Sequence, residues 1–196
     1  MKFLGFDPGG HNRFGWACLD VDHDGEVGDL RLGTCSNAEA AIEASVACTA
    51  NSPVLGIGID APLYWVSAGD RNADKAVRTA VTENGGASGT VSHVNSLRGA
   101  CLVQGVLIAH FSAREWPDAL ITEAHPKAIR WVLPEFETSL TEFSNFGNEH
   151  EKDAALAAKC AWAAWIKKLG WIDLLLGDSN ALPPFATKVS YWFPGQ

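Results

Sequence analysis

Three apolar stretches of the sequence each end in an acidic residue. "KFLGFD" ends on Asp7, "PVLGIGID" on Asp60 and "ALITE" on Glu123. Each stretch has the length and composition of a buried β-strand. Because burying an ionised carboxylate is costly unless a partner neutralises it, the three positions favour a shared site for a cation.

A fourth carboxylate, Asp153, lies near the start of "EHEKDAALAAKCAWAAWIKKLG", a segment that predicts a long helix closed by Gly170. Four neighbouring carboxylates cannot all stay ionised without a cation between them. Mg²⁺ takes one or two carboxylates together with water and substrate phosphate, and a pair of such ions supports phosphodiester hydrolysis. The pattern therefore predicts a divalent metal site, with Mg²⁺ or Mn²⁺ as the ion.

Each carboxylate also has a simpler interpretation. An Asp before Pro or before Ala-Pro commonly forms a turn, which applies to Asp7 and Asp60. Asp153 alone is explained as an acidic residue favoured by the dipole in the first turn of a helix. The spacing leaves both interpretations open.

The elements that would position these residues follow from periodicity. An antiparallel meander opens the chain, with a hairpin turn at Asp24-Gly25. Helices are predicted in "SNAEAAIEASVACTAN", "RNADKAVRTAV", "LRGACLVQGVLIAHFSAR" and "KAIRWVL". Residues 82–96 form a Gly/Ser-rich loop, "PEFETSLTEFSNFGN" is irregular, and "YWFPGQ" is a packed tail or a partner contact. The order predicts an α/β fold with a mixed sheet and helices on both faces.

Four motifs carry a resemblance to a known family. "GFDPGGHNRFGWA", "GIGIDAPLYW" with "RNADKAVR", "ITEAHPKAI" and "HEKDAALAAKCAWAA" together resemble the predicted RNase H-like nucleases of the DUF429 family. The resemblance implies a ribonuclease H-like fold and metal ligation by four residues: Asp7, Asp60, Glu123 and Asp153. It also implies that Arg71, Asp74 and Arg78 form a structural or substrate-contacting cluster beside the site.

Further side chains near these motifs are candidates for substrate binding. His125 lies two residues after Glu123 and could move a proton, whereas His150 is more simply a hydrogen-bonding residue. Trp65, after the Asp60 turn, is the aromatic residue expected beside a substrate. Three other tryptophans are expected in the core: Trp162, Trp165 and Trp171. Lys127 and Arg130 could contact a phosphate, although lysines and arginines on a helix are usually solvated.

Composition limits the classes of protein that fit. The chain has 196 residues, which suits one domain over 1–196, and a net charge of −8. Without a cluster of lysines and arginines, tight sequence-blind binding to duplex DNA is not expected. No apolar run reaches the length of a membrane span and no signal peptide is evident, so a cytoplasmic protein is expected. Five scattered cysteines predict neither a disulfide framework nor a zinc site.

Three functions are compatible with the sequence. The first is a metal-dependent phosphodiesterase or nuclease acting on nucleic acid or a nucleotide. The second is a ribonuclease H-like module that mediates an interaction without catalysis. The third is a nucleotide-binding phosphotransferase of the actin and sugar-kinase kind, which the short chain and the missing P-loop disfavour. An oligomer formed through aromatic residues is compatible with each of them.

Overall fold

The computed structural model describes residues 1–10, 12–50, 52–66, 70–92, 99–141, 145–179, 181–182 and 188–195. A seven-stranded mixed sheet runs through the molecule in the order β3-β2-β1-β4-β6-β9-β7. Its strands are β1 (Lys2–Asp7), β2 (Phe14–Val21), β3 (Val27–Cys35), β4 (Val54–Ile59), β6 (Leu120–Glu123), β7 (Trp171–Asp173) and β9 (Val189–Pro194). Two short strands, β5 (Trp65–Val66) and β8 (Ala181–Leu182), pair separately.

The opening meander is confirmed. β1 pairs antiparallel with β2, and β2 pairs antiparallel with β3. The Asp24-Gly25 turn connects β2 to β3. Gly25 has a φ of 92° there, a left-handed conformation that glycine adopts without strain. Asp22 stabilises the turn because its Oδ1 accepts from the backbone N–H groups of Asp24 and Glu26.

The central strands are parallel. β1 pairs with β4, β4 with β6, and β6 with β9. The three predicted acidic residues lie at the C-terminal ends of β1, β4 and β6. Because these strands are parallel, the three side chains lie at the same end of the sheet, which we call the edge of the sheet. This adjacency is the condition under which the sequence predicts a shared site.

Helices cover both faces of the sheet, as predicted. They are α1 (Ala38–Thr49), α2 (Asn72–Glu83), α3 (Gly99–Glu115), α4 (Pro126–Val132), α5 (Glu135–Thr141) and α6 (Glu149–Trp165). α1 and α3 bury one apolar layer against the sheet, and α6 with α2, α4 and α5 buries the other. Among the described residues, no helix is both long and apolar enough to cross a membrane.

Three sequence predictions were wrong. The segment expected to be irregular contains α5, which follows Pro134 and carries Glu135 and Glu137 in its first turn, a pattern typical of a helix start. The expected C-terminal tail is β9, an interior strand between β6 and β7. α6 ends at Trp165 rather than at the Gly170 cap, because Lys167 has a φ of 49° and leaves the helical conformation.

The predicted core positions of three tryptophans agree with the structure. All five cysteines are unpaired. Trp162 and Trp171 are buried in the layer beneath α6, and Trp165 packs against the same layer.

Candidate functional site

The carboxyl ends of three strands place their acidic residues at the same level. In the parallel pairing, Ile59 is the partner of both Phe6 and Glu123. Beyond the strand ends, the Asp60 N–H donates to the Phe6 carbonyl at 2.8 Å, and the Ala124 N–H donates to the Ile59 carbonyl at 2.7 Å. These backbone bonds hold Asp7, Asp60 and Glu123 in adjacent positions.

A cavity of about 200 Å³ opens at this edge of the sheet. Its lining includes both strand-end aspartates and three side chains from other elements: Asp7, Asp60, Cys101, His125 and Lys127. Burial and the neighbouring carboxylates raise the pKa of the Cys101 thiol to about 12, so this cysteine stays protonated and is a poor nucleophile. The reactive groups of the cavity are therefore its carboxylates and nitrogen bases.

Helix α6 brings Asp153 to the same edge because its backbone lies directly on the sheet. A Cβ added at Gly5 would overlap the Ala154 carbonyl, and one added at Gly58 would overlap the Ala157 carbonyl. No larger residue fits at either strand position without moving the helix. The side chain of Asp153 is buried there, close enough to the strand-end aspartates for their charges to interact.

The three aspartates repel one another. Burial and the charges of Asp60 and Asp153 raise the pKa of Asp7 to about 8. Burial and the charge of Asp60 raise the pKa of Asp153 to about 7, although Arg130 opposes that shift. A cation at this edge would relieve the repulsion and favour the ionised carboxylates.

Two histidines contact the strand-end aspartates. His150 Nδ1 lies 2.5 Å from Asp7 Oδ2, and burial together with the charges of Arg13 and Lys127 lowers the pKa of His150. His125 Nδ1 lies 3.5 Å from Asp60 Oδ1, and its Nε2 lies 3.2 Å from the Thr90 carbonyl. Burial lowers the pKa of His125, but the hydrogen bond and charge of Asp60 together raise it above its ordinary value. Each histidine therefore orients one aspartate.

Glu123 is held by an arginine. Both of its oxygens accept from Arg71, at 2.9 Å and 2.8 Å, and Oε2 also accepts from the Leu63 N–H at 3.0 Å. Arg71 donates in addition to both oxygens of Asp74, and all three side chains are at most 3% exposed. Of the cluster of Arg71, Asp74 and Arg78 that the resemblance implies, Arg71 and Asp74 are in contact, and the single positive charge of Arg71 is shared between Asp74 and Glu123 at the lining of the cavity.

Asp178 fixes the start of α2, which carries this arginine network. Asp178 Oδ1 accepts from the Asn72 N–H at 2.8 Å, and its Oδ2 accepts from the Ala73 N–H and the Tyr64 hydroxyl. This carboxylate caps a helix that has no capping side chain of its own at Arg71.

Arg78 lies on the outer side of that network. It forms an ion pair with Asp70 and donates to the Val91 carbonyl at 3.4 Å, so it supports the cavity wall at Thr90 and Val91. Among the described residues Arg78 makes no ion pair with Asp74, whose two oxygens accept from Arg71. Trp65 lies in β5, and its side chain falls outside the part that the structure describes.

Arg130 holds Asp153 in a similar way. Its Nη2 donates to Asp153 Oδ1 at 2.5 Å, and the same guanidinium pairs with Glu137 and Glu149. The sequence indicates a phosphate contact or a solvated helix residue for Arg130, and it does not indicate this ion pair. Arg130 lies about one turn after Pro126 in α4. That position in the sequence does not indicate that α4 packs against α6.

The carboxylates suit a hard cation only in part. Among the described residues, no group of three or more His, Cys, Asp or Glu side chains is arranged to hold a metal ion. Mg²⁺, however, commonly takes one or two protein carboxylates and completes its shell with water and substrate oxygens. Asp7 and Asp60 fit that smaller requirement, because they line one cavity and their carboxylate oxygens can serve as ligands. Asp153 is instead paired to Arg130, and Glu123 is paired to Arg71.

Comparison with known families gives one match. Residues 5–101 match the model of a family described as a protein of unknown function, DUF429. The matched segment runs from the second half of β1 to the first residues of α3, and therefore includes Asp7, Asp60 and Arg71. No curated protein and no solved structure matches the chain.

Proposed function

We propose that the protein is a divalent-metal-dependent hydrolase of phosphodiester bonds, with Asp7 and Asp60 as the residues that hold Mg²⁺ or Mn²⁺. One observation carries the proposal: two aspartates from neighbouring parallel strands line one cavity together with a lysine. Ligands of open α/β sheets bind at the carboxyl ends of the strands, which is where this cavity lies.

The residues around the cavity have separate tasks in such a reaction. A bound divalent ion would supply a water of lowered pKa and stabilise charge on the phosphate. His150 and His125 orient Asp7 and Asp60, and Lys127 provides positive charge for the phosphate. In the overall reaction a water oxygen bonds to phosphorus, one P–O ester bond breaks, and the leaving alcohol takes up a proton.

The proposal extends to Asp153 and Glu123 in a modified form. Asp153 contributes negative charge to the site from α6 while it stays paired to Arg130. Glu123 positions the strand end through Arg71 instead of binding the ion directly.

We also propose that the fold is ribonuclease H-like. An antiparallel meander followed by parallel strands, with helices on both faces, supports the assignment that the motifs suggest. The match over residues 5–101 supports a relation to the DUF429 family.

The first test is Mn²⁺ binding measured by isothermal calorimetry. Wild-type protein should bind Mn²⁺, and Asp60→Asn should lose most of that binding because one of the two proposed ligands becomes neutral. Asp118→Asn, an exposed aspartate outside the cavity lining, is the matched control and should bind as wild type does.

Hydrolysis of bis(p-nitrophenyl) phosphate with Mn²⁺ is the second measurement. Activity in the wild type and its loss in both Asp7→Asn and Asp60→Asn would support catalysis. Full residual activity in either variant would rule out the proposed ligands.

A non-catalytic interaction module is the second candidate. It is favoured by the ion pairs of Glu123 with Arg71 and of Asp153 with Arg130, which give two of the four carboxylates a cationic partner without any metal. Absence of both Mn²⁺ binding and hydrolysis in the wild type would support this alternative.

A further inference from the structure

The number of positive charges around the cavity limits how many phosphate groups the site can bind at once. The chain has fifteen lysines and arginines, and Arg98 is the one that lies outside the described residues. Of those described, two line the cavity, Arg71 and Lys127. Arg71 is already bonded to Glu123 and Asp74, which leaves it no charge to offer a substrate.

Lys127 is therefore the cation that the cavity presents. It is exposed, it lines the cavity, and it makes no ion pair with a carboxylate in the part of the chain that the structure describes. It lines the same cavity as Asp7 and Asp60, so its side chain lies near the carboxyl ends of β1 and β4.

The neighbouring arginines do not extend this positive charge into a groove. Arg130 is surrounded by Glu137, Glu149 and Asp153, and Arg78 is paired to Asp70. Arg13 is exposed in the turn after β1, where its backbone packs against Gly9, two residues beyond Asp7. Lys127 in the cavity lining and Arg13 in the turn beyond Asp7 together provide the positive charge for one phosphate group.

We propose that this site takes the phosphodiester group of a small, nucleotide-sized molecule, held by Lys127 with Arg13, and not the backbone of a nucleic-acid polymer. A polymer is bound through many phosphate contacts, each of which needs a cation along its path. The cavity of about 200 Å³ and the net charge of −8 are both unsuited to such a path. This inference rests on the proposed phosphodiesterase function and specifies its substrate class.

Binding tests the inference without relying on hydrolysis. The probes are thymidylyl-thymidine, which has one phosphodiester, and a long oligothymidylate, both with Ca²⁺ as the divalent ion. Each phosphate contact contributes about 0.7 to the slope of log K against log salt for a single strand. We expect a slope of magnitude about 1.4 for the oligothymidylate, and about 2 if Arg98 adds a contact.

Lys127→Ala identifies the residue responsible. It should weaken thymidylyl-thymidine binding about tenfold or more, because a charge-assisted contact to phosphate is lost. Lys188→Ala is the matched control. This lysine is exposed and precedes β9, at the amino ends of the parallel strands and so away from the cavity, and binding should be unchanged.

Three results would overturn the inference. They are a slope of magnitude about 3 or more for the oligothymidylate, unchanged affinity in Lys127→Ala, and no binding of thymidylyl-thymidine by the wild type. Failure of the proposed function is distinguishable, because it would appear as absent Mn²⁺-dependent hydrolysis while the single phosphodiester still binds through Lys127.

Discussion

Arg71 determines which carboxylates at the strand ends can take part in metal binding. It bonds both oxygens of Glu123 and both oxygens of Asp74 in a region closed to solvent. A buried ion pair has already lost its hydration, so removal of one member leaves an uncompensated charge. Glu123 lines the same cavity as Asp7 and Asp60 but is committed to Arg71, whereas among the described residues neither aspartate makes an ion pair with a lysine or an arginine.

Removal of Arg71 should therefore unfold the protein more readily. We expect Arg71→Met to lower the free energy of unfolding by about 3–5 kcal/mol, measured by urea denaturation. Arg114→Met, which removes an exposed arginine stacked on Phe111, should cost less than about 1 kcal/mol. Equal losses in the two variants would show that the buried network contributes no special stability.

Glu123→Gln separates a structural role from a ligand role. We expect it to lower stability, because a neutral amide replaces the carboxylate beside Arg71, while calorimetric Mn²⁺ affinity stays within about threefold of wild type. Asp60→Asn should show the reverse pattern. Loss of Mn²⁺ binding in a folded Glu123→Gln protein would instead favour Glu123 as the ligand that the sequence motifs predict.

The carboxylates of this site can be predicted from the sequence, but the arginines that pair with them cannot. Asp7, Asp60 and Glu123 are recognisable because each ends an apolar strand, and local pattern is enough to find such positions. The pairing of Arg130 with Asp153 is not recognisable, because 23 residues separate the two and only the packing of α4 on α6 brings them together. Long-range ion pairs of this kind depend on tertiary structure.

At the scale of elements, the contact of α6 with the sheet positions Asp153. Alanines along the helix and glycines on the strands allow the helix backbone to touch β1 and β4 directly. We expect Gly58→Ala to lower the free energy of unfolding by about 2–3 kcal/mol, because its Cβ would overlap the Ala157 carbonyl. Thermal or urea denaturation measures the loss.

A matched glycine provides the control for that variant. Gly89 has open space around the position of a Cβ, so Gly89→Ala should change stability by less than about 1 kcal/mol. If Gly58→Ala were as stable as Gly89→Ala, the close approach of helix and strand would be wrong.

Elements with strong local periodicity were predictable, and those defined by distant partners were not. β1, β4 and α1 follow from apolar runs and from the Asn37 cap. The sequence predicts a packed tail or a partner contact for "YWFPGQ", whereas its first four residues belong to β9. Its place in the sheet depends on pairing with β6, which lies far away in the chain.

At the scale of the whole molecule, the aspartate cluster links stability to pH and to metal. The folded-state pKa values of Asp7 and Asp153, about 8 and about 7, lie above the ordinary value of 3.8. The folded protein therefore holds more protons on these groups than the unfolded chain does. Their contribution to stability is fully present below about pH 4 and is lost as the pH rises through 7 and 8.

The metal-free protein should consequently be less stable at pH 8 than at pH 5. Each carboxyl contributes a slope of up to ~1.4 kcal/mol per pH unit over this window, measured by urea unfolding in EDTA. Asp7→Asn should have a shallower pH dependence, because its amide does not titrate, whereas Asp118→Asn should keep the wild-type slope. Mn²⁺ should restore stability at pH 8 in the wild type, since it binds the ionised aspartates of the folded state. Parallel pH profiles for wild type and Asp7→Asn would contradict the repulsion among the aspartates, and with it the physical reason for a cation at this edge of the sheet.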